Sequence, residues 1–158
     1  KPTDIPFRHM VTAVQIADEQ GFDYLLTVLK RSGYDTSDVE AIRQRATNAK
    51  NWLDKYAPPM VKFKVQETLP PQAKSLTKEQ KRALAVLTDE LERGMSGQEI
   101  HENMYKVAQD VGIDGKKVFE AVYLALLGLK SGPRAGHFLA SLDRDCVVKR
   151  FKEASLNA

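Results

Sequence analysis

Residues 126–151 read LLGLKSGPRAGHFLASLDRDCVVKRF. An apolar run ends at Gly128, a turn carrying Lys130, Ser131, Gly132, Pro133 and Arg134 follows, and a new apolar period opens at Phe138. Two helices joined by a basic elbow are expected. Pro133 suits the first position of the second helix, because its ring holds φ at a helical value and its missing N–H has no partner there anyway. Ser131 or Gly132 would then cap. Such a start leaves backbone donors beside Lys130 and Arg134, where a phosphate or a base edge can be held. An ordinary turn between helices has the same pattern, so the elbow alone leaves both readings open.

Upstream of the elbow, Asp114 opens a helix whose Val118, Phe119, Val122, Tyr123, Leu126 and Leu127 cover a wide arc, the pattern of a central helix. Before it, Ser96 and Glu99 form a capping box for a helix with Ile100, Met104, Val107, Ala108 and Val111 inward and Gly112 as its stop. Thr77 and Gln80 cap another, with Gln80, Leu84, Leu87 and Leu91 on one side and Gly94 closing it. Between Pro58 and Leu76 the periodicity lapses. Pro58, Pro59, Pro70 and Pro71 block regular helix and sheet there, and only Val61, Phe63 and Val65 alternate, as one extended piece.

The N-terminal part holds three more helices. Asp4, Ile5 and Pro6 start one with Phe7, Met10, Val11, Val14 and Ala17 at helical spacing, ended by Gly21. Phe22 to Leu29 form a short second one, stopped at Gly33. Ser37 and Glu40 then read as a capping box, and Val39, Ile42, Ala46, Ala49, Leu53 and Tyr56 keep one apolar face up to Pro58. Trp52 and Tyr56 are read as core rather than as base-stacking platforms, because they fall in or beside that apolar series. The expectation is an all-α, multihelical fold of about seven helices. Two packed subdomains, residues 1–57 and 77–158, would be joined by a Pro-rich connector over 58–76.

The 158 residues, 42% apolar and 28% charged, have the composition of a globular chain. No apolar run approaches the roughly 20 residues of a membrane span, so no membrane partner is expected. Residues Lys1 to Arg8 lack the apolar core of a secretory signal, and the abrupt start points to a piece of a longer chain. The single cysteine, Cys146, lies among apolar residues and is expected to be buried in a reducing cytoplasm. Net charge is only +3 but unevenly placed. From Lys116 to Lys152 eight basic residues face three acidic ones, a net +5 that leaves −2 for the rest. A basic end favours an anionic partner held there, although a solvated face has the same composition.

Several chemistries are missing. The sequence has no Gly-rich phosphate loop or dinucleotide fingerprint and no Cys or His cluster at metal spacing. His9, His101 and His137 are scattered, and His101 is expected to face solvent. No nucleophile sits on a sharp elbow beside a base. Neither a catalytic centre nor a metal or other cofactor is expected in this chain.

The elbow and its surroundings closely resemble the C-terminus of class I lysyl-tRNA synthetases, where a helix ending in Leu-Gly runs into a Ser-Gly-Pro-Arg-Ala-Gly turn and then Phe-Leu. The resemblance continues through Leu142, Asp143 and Arg144 to the tail Val147, Val148, Lys149, Arg150 and Phe151. Two further stretches match in order. Ile5-Pro6-Phe7-Arg8-His9 is similar to that family's Pro-Phe-Arg-His opening. The segment Asn48 to Pro58 resembles its Ala-x-Asn-Trp-x-x-Lys-Tyr-Ala-Pro, with Phe63-Lys64-Val65 as the Phe-x-Val that follows. The C-terminal end of glutamyl-tRNA synthetases is a more distant likeness, sharing the Gly-then-Pro elbow and the closing helix but not the Arg-Ala-Gly. This chain departs from the family pattern at His137 and Cys146, positions that vary or are often aromatic.

The resemblance implies an anticodon-binding fold of the class I synthetase type, the tRNA-gripping part of an enzyme that joins lysine to tRNA(Lys) using ATP. The catalytic domain of the same chain would be a partner, DNA would not, and this fragment would not activate an amino acid. Neither the His-x-Gly-His nor the Lys-Met-Ser-Lys-Ser type of catalytic signature is present. By match to the family turn, Lys130, Ser131, Gly132, Pro133, Arg134 and His137 are the expected anticodon-loop contacts. Arg134 leads them, because its planar fork addresses a base edge or a phosphate with two bonds. Arg144, Lys149 and Arg150 are backbone-contact candidates, with internal closure of the last helix as the other role for Arg150. Two readings of other classes stand beside this one. A helical protein-interaction module would use the basic elbow on an acidic partner. A DNA-binding helix-turn-helix would use the Gly112 turn, but its second helix is very apolar toward Leu124 to Leu129.

Overall fold

The computed structural model describes residues 4–156; residues 1–3 and 157–158, which the expected subdomains include, lie outside them. Among the described residues the fold is all-α, with eight α-helices and no strand. At the C-terminal end the chain folds as two helices with a break at Leu142, whose backbone is extended at φ −88° and ψ 157°. Among the described residues no helix is long and apolar enough to cross a membrane. The chain divides into two compact units, one up to Lys64 and one from Val65.

In the first unit, α1 (Phe7–Ala17) packs on α2 (Phe22–Arg31) and α3 (Val39–Lys55). Met10, Val14, Val28, Leu29, Ile42 and Ala49 form its buried centre, positions whose spacing puts them on one face of each helix. Two details differ from the sequence expectation. Asp38, not Ser37, caps α3, accepting from the Ala41 N–H at 3.2 Å, because Asp38 immediately precedes the first helical residue while the Ser37 N–H is turned to Asp35 Oδ1 at 2.9 Å. Tyr56 is 75% exposed rather than packed inside. The chain leaves the helix at that residue, with φ −127°, and the apolar phase no longer directs its ring inward. Trp52, one turn earlier, is half-buried with its ring edge-on to Phe7 at 5.8 Å.

In the second unit, α4 (Lys78–Glu92) and α5 (Gly97–Val111) begin with the two expected capping boxes, Thr77 with Gln80 and Ser96 with Glu99. They pack with α6 (Gly115–Leu126), α7 (Ala135–Ser141) and α8 (Arg144–Leu156), α4 against α8 and α5 against α7 most extensively. Val118, Val122, Phe138 and Phe151 are fully buried, and α6 is buried along most of its length. Cys146 is exposed, contrary to expectation. With α8 starting at Arg144, the buried positions are Val147, Arg150, Phe151 and Ala154, and Cys146 falls just outside their arc. His101 is also not simply solvent-facing. It is half-buried with its ring 5.6 Å from that of Phe119 on α6.

Candidate nucleic-acid interface

The elbow between α6 and α7 is built on the end of α6. A helix leaves its last carbonyls without intrahelical partners, and here each has one. The Tyr123 carbonyl accepts from the N–H groups of Leu127 at 2.7 Å and Gly128 at 3.1 Å, and that of Leu124 accepts from Gly128 at 3.3 Å. Gly128 makes this turn at φ +73°, a region that disfavours side chains. The Ala125 carbonyl accepts from Arg150 Nη1 at 3.1 Å, and the Leu126 carbonyl from the Gln66 N–H at 2.9 Å. Arg150 Nη2 also donates to the Gln66 carbonyl at 2.7 Å. One guanidinium therefore joins α8, the end of α6 and the segment entering this unit, with its positive charge at the negative end of the α6 dipole.

The return stroke of the elbow is pinned to the same helix. The Tyr123 hydroxyl donates a short hydrogen bond to the Pro133 carbonyl. A Cβ on Gly132 would lie 2.8 Å from Tyr123 Cδ1 and 2.9 Å from Leu127 Cδ1, so only glycine lets the backbone lie this close to the ring. Burial pushes the Tyr123 phenol up to about 12, because the charged phenolate would lose water. These two contacts also correct the expected helix start. Residues 132 and 133 belong to the turn, Arg134 is the N-cap at φ −56° and ψ 120°, and α7 begins at Ala135. With only seven residues, α7 aligns few peptide dipoles, so the charge of the elbow is that of Lys130 and Arg134.

The expected site residues separate into three groups. Lys130, Ser131, Gly132 and Arg134 are exposed on the elbow, with Pro133 half-buried at the Tyr123 anchor. His137, one turn into α7, is half-buried, and its carbonyl accepts from Ser141 Oγ at 2.9 Å. Arg144 lies at the other end of α8, donating to the Met95 carbonyl in the α4–α5 turn at 3.3 Å. Six residues of helix, about 9 Å of axis, separate it from Arg150. Lys149 is exposed on the outer face of α8, while Arg150 is buried with its donors committed, and desolvation lowers its proton affinity from the ordinary value against the raising effect of Glu153. The supporting roles of Gln66 and Tyr123 were not visible in the sequence, since a solitary Gln in a Pro-rich stretch and a Tyr within an apolar arc carry no local signal.

Among the described residues no group of three His, Cys, Asp or Glu side chains is placed to hold a metal ion. The arrangement offers an exposed arginine and lysine on a turn tied to α6, a chemistry able to pair with anionic groups such as phosphates.

A family model described as an anticodon binding domain matches residues 9–155. Over 97% of its length the chain is 40% identical to a lysine–tRNA ligase of Methanosarcina barkeri (strain Fusaro), covering 32% of that protein. It is 36% identical to the lysine–tRNA ligases of Archaeoglobus fulgidus, over 96% of this chain and 30% of the relative, and Thermococcus kodakarensis, over 93% and 29%. The chain thus spans about a third of the length of the curated relatives it matches. With nearly all of its described helices inside the matched range, this chain belongs to the anticodon binding domain family.

Proposed function

We propose that this chain is the tRNA-gripping part of a class I lysine–tRNA ligase, and that the elbow between α6 and α7 contacts the anticodon loop of tRNA(Lys). The match of the anticodon-binding family over residues 9–155 carries this reading, and the exposed Lys130 and Arg134 on a turn clamped to α6 support it. Arg134 addresses a base edge or phosphate with its fork, and Lys130 supplies charge. Ser131, Gly132 and Pro133 present backbone, His137 flanks them on α7, and Arg144 and Lys149 add phosphate contacts along α8. Arg150 acts from within, holding the end of α6. In the complete cytoplasmic enzyme, a catalytic domain elsewhere in the same chain uses ATP to join lysine to the tRNA. The grip on the anticodon arm delivers the acceptor end to it.

The test is a titration of the chain with lysine tRNA and with the same tRNA carrying a changed anticodon, at two salt concentrations. Tighter binding to the lysine anticodon is expected, with a loss of roughly 5- to 150-fold for Arg134→Ala if it reads a base. Equal, purely salt-dependent binding of both tRNAs would reduce the site to a nonspecific electrostatic grip. Absence of binding at low salt would favour a protein-interaction module.

A further inference from the structure

At the seam of α5 with α6 lies a feature that the elbow reading does not use. Tyr105 is 63% exposed, although its ring is held in place. A Cβ on Gly115, the first residue of α6, would lie 2.5 Å from Tyr105 Cδ1 and 2.6 Å from Cε1, so the ring rests directly on that backbone. Phe119, one turn further along α6, meets the ring edge-on at 5.8 Å. An aromatic ring fixed by two neighbours and still largely open to water loses little freedom when a flat partner covers it.

Exposed charges of both signs lie near it along the chain, Glu102 and Asp114 against Lys106 and Lys116, and Lys116 is the cation available to a phosphate. Lys116 follows Gly115 directly and is exposed, and among the described residues no carboxylate lies within ion-pair distance of it. The neighbouring Lys117 is held by Glu120 at 3.4 Å. The same helix face also leads toward the elbow. A Cβ on Gly136, two residues past Arg134, would run into Gln98 Oε1 and lie 3.2 Å from His101 Cβ, so α5 and α7 touch there. Tyr105 is one turn beyond His101, about 6 Å along the axis.

We propose that Tyr105 is a stacking platform for an unpaired base of a bound RNA strand, with Lys116 taking a flanking phosphate. This rests on the tRNA-binding reading and extends it from the elbow across α5. Stacking on an exposed aromatic face tolerates any base and gains strength from an adjacent cation. A strand engaged by Arg134 therefore continues over α5.

The experiment titrates the 158-residue chain with a fluorescent RNA hairpin carrying the lysine anticodon loop, over a range of salt. Tyr105→Ala and Tyr105→Leu are expected to weaken binding roughly 5- to 150-fold, with the salt slope unchanged because no charge is lost. Tyr105→Phe should keep wild-type affinity. Lys116→Ala should reduce the salt slope by about one. Tyr105→Leu preserves an apolar cover over Gly115 without a π face, so wild-type affinity for that variant would overturn the platform and leave the tRNA reading standing. Tyr105→Phe binding as weakly as Tyr105→Ala would do the same. If the wild-type chain fails to bind the hairpin at low salt, both readings fall.

Discussion

Replacing Arg150 by methionine separates an internal clasp from a phosphate contact. The guanidinium donates to two backbone carbonyls, Ala125 at 3.1 Å and Gln66 at 2.7 Å, and is nearly removed from water. Hydrogen bonds from a charged donor contribute about 1.5–3 kcal/mol each, so losing both costs about 3–6 kcal/mol. The apolar body of methionine fills much of the same volume and recovers about 1–2 kcal/mol. A net loss of about 1–5 kcal/mol is expected. Urea denaturation followed by circular dichroism measures it as a lower midpoint at constant slope. Exposed Lys149→Ala serves as the neighbouring control and should stay within about 0.5 kcal/mol of wild type. Under conditions where it remains folded, Arg150→Met should bind lysine tRNA with an unchanged salt slope. A stability change under about 1 kcal/mol, together with a slope reduced by about one, would refute the clasp and return Arg150 to the RNA surface.

Three other outcomes test the packing around the site. Gly97→Ala should destabilise the second unit by about 2–3 kcal/mol in the same assay, because the new methyl would lie 2.8 Å from Ala140 Cα and 2.9 Å from the Gly136 carbonyl oxygen, both backbone atoms that cannot rotate away. Asp38→Ala should cost about 1 kcal/mol while Ser37→Ala costs little, and the reverse order would mean that the cap of α3 is misassigned. Tyr123→Phe removes the bond to the Pro133 carbonyl and should cost about 1 kcal/mol near neutral pH. In the wild type the folded state keeps the Tyr123 proton until about 12, whereas the unfolded chain releases it near 10. The stabilisation is therefore complete below pH 10 and is lost as pH rises toward 12, a loss that denaturation at pH 9 and 11.5 should reveal as larger in wild type than in Tyr123→Phe, where only the raised Tyr34 phenol still contributes.

Helix by helix, the chain wears its fold openly. The apolar series of α1, α3, α4, α5 and α6 recur at three and four, and the Thr77 and Ser96 capping boxes stand where the spacing puts them. Errors gather at helix ends. Ser37 and Asp38 are both good caps in isolation, and the choice depends on which residue stands directly before the first helical turn. Tyr56 continues the apolar pattern one residue past the point where the helix has stopped. Pro133 has the local chemistry of a first helical residue, yet the Tyr123 hydroxyl holds its carbonyl in the turn.

The candidate site divides in the same way. That residues 128–134 form a basic turn between helices, with Lys130 and Arg134 on it, follows from side-chain type and order alone, because Gly, Pro and charged residues act on the backbone within a few positions. Which cations face water does not follow. Arg134, Arg144 and Arg150 are chemically identical, and only the fold turns Arg150 inward onto carbonyls from residues 25 and 84 positions away while leaving Arg134 exposed. Tyr105 has the same character, since its fixed and open ring depends on a glycine in the next helix. Periodicity and capping are interactions between near neighbours and can be read along the chain. The fate of a charge or an aromatic face is decided by partners that only tertiary packing brings together.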